Sequence, residues 1–99
     1  MSYEIEFAES VKRQLRALTA HQRAEIFDGI EEQLTYEPFM ETRNRKLLRP
    51  NPFAPWELRV GDLRIFYEPA PDGAPIVRVL AVGVKKGSIL RIGGQEVKL

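Results

Sequence analysis

Trp56-Glu57-Leu58-Arg59-Val60-Gly61-Asp62-Leu63-Arg64-Ile65-Phe66-Tyr67 is the stretch on which the fold turns. Apolar and polar residues alternate through Trp56, Leu58 and Val60, break at Gly61-Asp62, and resume through Leu63, Ile65 and Tyr67. Period-two alternation is the pattern of a half-buried strand, and a two-residue break that begins with Gly suits a type II′ hairpin turn. Such a loop pairs Val60 with Leu63, Leu58 with Ile65 and Trp56 with Tyr67 on one face. The other face then carries Glu57, Arg59, Arg64 and Phe66, with Arg59 directly opposite Arg64. Like charges directly opposed destabilise a sheet. Two arginines held side by side therefore point to an anionic ligand.

Working outward, Tyr3 to Phe7 alternates like a short strand. Phe7, Val11, Leu15 and Leu18 then recur at helical spacing, with Lys12, Arg13 and Arg16 opposite them. Thr19 with Gln22 three residues on is a capping box that starts a second helix. Ile26, Ile30 and Leu34, widened by Phe27, form its apolar stripe; Glu25, Asp28, Glu31 and Glu32 make its outer side acidic, and Pro38 marks its end. These helices form an αα-hairpin. Phe39 to Pro55 reads as a long loop, a common place for function. It holds Arg43, Arg45, Lys46 and Arg49, with no acid after Glu41, and Pro50, Pro52 and Pro55 stiffen its exit. Beyond the hairpin, Pro69 to Pro75 is a turn. Ile76 to Val84 is a β-branched run broken only by Arg78, the pattern of a buried central strand. Lys85-Lys86 follow, and Gly93-Gly94 predicts a small terminal hairpin or tail in which Leu90 faces Val97 and Arg91 faces Glu96. The order strand, two helices, three strands predicts an α+β fold: a mostly antiparallel sheet, its first strand free to run parallel, with the αα-hairpin packed on one face.

Ninety-nine residues suit a single domain, 1–99. The chain has no cysteine, which excludes disulfides, thiolate chemistry and a Cys-ligated zinc site; one histidine argues against a His-based metal cluster. No basic start followed by an apolar run is present and no long apolar segment occurs, so the expectation is a cytoplasmic protein that does not engage the membrane. The net charge of +1 conceals an asymmetry: nine acids against four bases as far as Thr42, and eleven bases against five acids from Arg43 onward. Segregated charge suggests a polyanion-facing half; mutual neutralisation after folding is the plain alternative.

This order of elements, the Trp56–Tyr67 words and Val79-Leu80-Ala81-Val82-Gly83 together resemble the RelE/ParE family of bacterial toxin–antitoxin toxins. The resemblance spans nearly the whole chain, including Val11-Lys12-Arg13-Gln14-Leu15 and the basic loop. It implies a type II toxin of one of three kinds. A RelE-like member is a ribosome-dependent mRNA endonuclease that works without metal or other cofactor. A ParE-like member inhibits DNA gyrase by binding it. A degenerate member binds only its antitoxin. In the active kinds the partners are a small antitoxin that wraps the toxin, then ribosome and message, or gyrase; promoter DNA is met through the antitoxin complex.

The resemblance also assigns residues. Arg64 matches the arginine on the scissile phosphate, and its fork suits phosphate oxygens. Lys85 matches a second basic position, and Arg59 lies beside Arg64. Glu57 shares their face with two roles open: general base, or counter-ion to the arginines. Arg43, Arg45, Lys46, Arg49, Lys86 and Arg91 are candidate RNA-binding cations, and Phe66 is placed either to stack a base or to pack under the loop. The chain departs from RelE-like enzymes in carrying Pro55 and Glu57 where lysines are common, and in having no Tyr or His after Tyr67.

Overall fold

The computed structural model describes residues 2–98. In chain order the elements are β1 (Glu4–Phe7), α1 (Glu9–Arg16), α2 (Ala20–Leu34), β2 (Arg45–Leu47), β3 (Trp56–Val60), β4 (Leu63–Pro69), β5 (Ile76–Lys86), β6 (Ile89–Ile92) and β7 (Gln95–Val97). Strands β2 to β7 follow one another across a single sheet, all antiparallel, while β1 pairs in parallel with β5. The α+β architecture with both helices on one side is the one expected. Two features go beyond that expectation. The segment Phe39 to Pro55 is not one loop, because Arg45–Leu47 pairs with Trp56–Leu58 as an edge strand. The terminal hairpin is also no loose tail; β6 extends the sheet from β5, and Leu90 faces Val97 and Arg91 faces Glu96 as anticipated.

The β3–β4 hairpin has the register read from its alternation, from Trp56↔Tyr67 to Val60↔Leu63. Gly61 sits at φ 58° and Asp62 does not take positive φ, the signature of a type II′ turn. Val11, Leu18, Ile26, Ile30 and Leu34 from the helical layer meet Trp56, Leu58, Leu63, Ile65, Tyr67, Val77, Val79 and Val82 from the sheet. Each such side chain, fully buried, contributes on the order of 1.5–3 kcal/mol. The Tyr67 hydroxyl donates to the Pro38 carbonyl at 2.7 Å, which ties the end of the helical layer to the sheet. Thr19 and Gln22 close their capping box, and Arg23 Nη1 donates to Leu15 O and Leu18 O, covering carbonyls at the end of α1.

Strand β5 organises the sheet. Strand β4 lines one of its edges from Val77 to Val84, so β1 (at Ile76 to Val79) and β6 (at Gly83 to Lys86) share the other edge end to end. The gap between them leaves the buried Val82 N–H without a strand partner. Gln14, 7% exposed, fills that place: its Oε1 accepts from Val82 N at 2.9 Å. A bulge opposite Phe66/Tyr67 inserts Leu80 into β5. The extra residue lets Leu80 and Ala81 both turn away from the helices, while Val79 and Val82 stay on the helical side. On that far face Ala54, Phe66, Ala81, Leu90 and Ile92 form a second, smaller cluster, flanked by Leu48, Phe53, Leu80 and Val97. Asn51 pins the proline loop above it: its Nδ2 donates to Arg49 O and Ala54 O, and its Oδ1 accepts from Phe53 N and Ala54 N.

Candidate functional site

Arg59 and Arg64 are direct cross-strand partners on the far face. The Arg59 N–H points the other way, to Asn44 O at 2.8 Å. The arginines thus form a non-hydrogen-bonded pair, the kind whose Cα atoms approach to about 4.5 Å. Their charges are managed differently. Arg59 Nε donates to Glu57 Oε1 at 3.0 Å, from a half-exposed side chain to a carboxylate only 5% exposed. Arg64 Nη1 is anchored on two carbonyls of its own turn, Gly61 O and Leu63 O, both at 2.8 Å. Its Nε is buried and has no hydrogen-bond partner. Burial lowers the Arg64 pKa from its ordinary value; the Glu57 carboxylate opposes that shift, Arg59 adds to it, and Asp62 opposes it. A buried guanidinium N–H without an acceptor costs on the order of 1–3 kcal/mol.

Register places two more cations on this face. Lys46 of β2 lies directly opposite Glu57, and Lys85 follows two residues after Gly83, the β5 partner of Arg64. The Lys85 N–H donates to Asp62 O at 2.7 Å, locking it beside the hairpin turn. Gly83 forms the floor between Arg64 and β6. A Cβ there would lie 2.4 Å from the Arg91 carbonyl oxygen and 2.9 Å from Ile92 Cγ1, so only glycine permits this approach. Lys46, Arg59, Arg64 and Lys85 thus share one sheet face with the buried Glu57 carboxylate, which Arg59 engages.

Other expected site residues lie elsewhere. Arg45 is a correction: it faces the helices opposite Leu58, is 9% exposed, and bonds through Nε to Met40 O and through Nη1 to Gln33 O and Gln33 Oε1. It clasps α2 to β2 and has no face toward a phosphate. Phe66 is a second correction, fully buried under Phe53 with ring centroids 6.0 Å apart; it packs under the loop and cannot stack a base. Arg91 and Lys86 alternate onto the helical side of the sheet. Arg43 is exposed in the turn before β2, and Arg49 is exposed in the proline loop. Trp56 and Tyr67 stack at 6.0 Å within the core. Arg78 pairs with Glu68 at 3.5 Å, and His21 is held by Glu25 on the surface.

Sequence reasoning passed over Gln14 and Asn51. Gln14 carried a signal, since it lies three residues after Val11 on the apolar stripe of α1, where a polar residue needs a buried partner. Asn51 between two prolines carried a weaker one, the habit of Asn to bond nearby backbone in turns.

No known family model matches the sequence, and no curated protein matches it. Solved structures do share its fold. A chain of the toxin–antitoxin complex RelBE2 from Mycobacterium tuberculosis superposes with a TM-score of 0.71 at 24% identity, covering 86% of this chain and 100% of that one. A chain of the archaeal RelE–RelB complex from Pyrococcus horikoshii superposes with a TM-score of 0.63 at 19% identity, covering 83% and 93%. The chain has the RelE-like α+β fold.

Proposed function

We propose that this chain is the toxin of a toxin–antitoxin pair and that it cleaves ribosome-bound messenger RNA, without a metal, at the face built by Arg59, Arg64, Lys46 and Lys85. The observation that carries this reading is the cross-strand pair of Arg59 and Arg64, a cradle of two guanidiniums held side by side on a sheet face that also carries Lys46 and Lys85. Cleavage by the neighbouring 2′-hydroxyl builds negative charge on the phosphoryl oxygens as the 5′-oxygen departs. Fixed cations around that centre stabilise the developing charge. Arg64 meets one phosphoryl oxygen, Arg59 and Lys85 flank it, and Lys46 holds the adjoining backbone. Glu57 is the counter-ion that keeps Arg59 in place. With that carboxylate engaged, the proton of the attacking hydroxyl passes to water, water protonates the departing 5′-oxygen, and the rate then rises tenfold per pH unit where a poised side-chain base would level off.

Removing one such donor typically costs on the order of 100–1,000-fold in rate. Arg64→Ala therefore lowers message cleavage in a translating extract by at least about 100-fold, with Arg64→Lys intermediate because lysine lacks the fork. Full activity in Arg64→Ala overturns the assignment. The engagement of Glu57 by Arg59 favours a second reading, a gyrase inhibitor that needs no proton transfer. That reading holds if the protein blocks DNA supercoiling and leaves translated messages intact.

A further inference from the structure

We infer that the concavity under the proline loop is a docking slot for a nucleobase of the same RNA strand, two nucleotides from the phosphate held by Arg64. The inference rests on the RNA-binding reading above and adds a subsite to it. Arg64, Phe66 and Glu68 point to the same far face of β4. At about 3.4 Å per residue, Glu68 lies about 14 Å along the strand from Arg64. Leu48, Pro50, Pro52, Phe53 and Pro55 wall a concavity that reaches Glu68, and Phe53 rests on Phe66 between the two ends. An unstacked single strand advances about 7 Å per nucleotide, roughly twice the spacing of a stacked one, so this interval spans two nucleotides.

Three properties fit a base better than another occupant. The walls are three proline rings, a leucine and a phenylalanine, apolar surfaces that suit a planar π-face. They are held in place, since both side-chain amide atoms of Asn51 are committed to the loop, so docking loses little entropy. Arg49 lines the adjoining hollow beside Leu48 and Pro50, and no acid lies between Glu41 and Glu57, so the approach is cationic. With Asn51 committed and Glu68 held by Arg78, the slot reads the shape of a base more than its identity.

The test is fluorescence anisotropy with uncleavable 2′-O-methyl oligoribonucleotides of six residues, carrying a single abasic site moved along the strand. Wild-type protein loses about tenfold in affinity at one abasic position and little elsewhere. Pro50→Asp, at an exposed wall of the slot, lowers affinity for the intact strand by a similar factor, and the abasic site then costs nothing further. Arg43→Ala, outside the slot, keeps the abasic penalty. An equal penalty at every position, or one that persists in Pro50→Asp, overturns the slot. The parent reading is judged separately: Arg64→Ala binding as tightly as wild type refutes the cradle, whatever the abasic sites report. If no oligonucleotide binds, the slot falls, while the cradle still stands or falls on cleavage of ribosome-bound message by Arg64→Ala.

Discussion

Replacing Gln14 with leucine tests the proposed role of that side chain in sealing β5. Leucine is close to glutamine in volume and keeps the helical contact, so the change removes the acceptor and little else. The Val82 N–H is then left in a buried gap between β1 and β6 with nothing to bond. An unsatisfied buried donor costs on the order of 1–3 kcal/mol. Taking about 2 kcal/mol, urea denaturation shows a lower midpoint at unchanged slope, and the melting temperature of a domain this size falls by roughly 8–16 °C. Hydrogen exchange localises the effect: at about 1.4 kcal/mol per factor of ten, Val82 exchanges about thirtyfold faster if it opens locally. A Gln14→Leu protein as stable as wild type, with Val82 protection unchanged, refutes the argument and means the gap is sealed some other way.

Gly83→Ala drives a methyl into the Arg91 backbone and shifts β6 off β5; a loss of at least about 1–3 kcal/mol is expected, and an unchanged melting curve counts against the close approach. Arg45→Met leaves Gln33 O and Met40 O without their donor and destabilises by about 2–3 kcal/mol, while affinity for single-stranded RNA stays the same. Lys46→Ala does the reverse: stability holds, and the salt dependence of RNA binding loses about one phosphate contact from its slope. Burial raises the Tyr67 phenol above its ordinary 10.0, with Arg45 opposing. The unfolded chain thus ionises this tyrosine first, so its contribution is complete below pH 10 and declines as pH rises beyond it. Tyr67→Phe removes that part of the alkaline loss, and an identical loss in both proteins shows that Tyr67 does not cause it.

The hairpin was legible because its two physical signals agree: period-two burial and a Gly-led turn both specify one register, and a slip of one residue would expose every core side chain. The αα-hairpin was legible for the same reason, with a capping box at the start of its second stripe. Strand β2 was not, because three residues are too short to show alternation. Its absence from the reading made Arg45 and Lys46 look alike. Once Arg45 is paired with Leu58, parity sends it to the helices and Lys46 to the cradle. Phe66 misled differently. The sheet has a second apolar cluster on the far face, assembled from the proline loop and the terminal hairpin, and no local pattern announces contacts between such distant segments. The bulge at Leu80 was hidden inside a continuous apolar run, where a change of phase leaves no mark.

The end-to-end sharing of one β5 edge sets the order in which the molecule can assemble. Residues 4–7 and 89–92 are far apart in the chain, yet each completes a different half of the same strand. Strand β6 reaches β5 across only Gly87-Ser88, a local contact, whereas β1 pairs with a strand about seventy residues away, and such nonlocal pairing slows folding. Until β6 arrives, the floor beneath Arg64 is a bare strand edge, an invitation to pair with another chain. The floor of the anion cradle is therefore closed by a local hairpin, while the seal around Val82 waits for the distant first strand and the helix that follows it. A truncation after Lys86 keeps every cradle cation yet bares the β5 edge beneath Arg64, and so turns the floor of the site into a surface for aggregation.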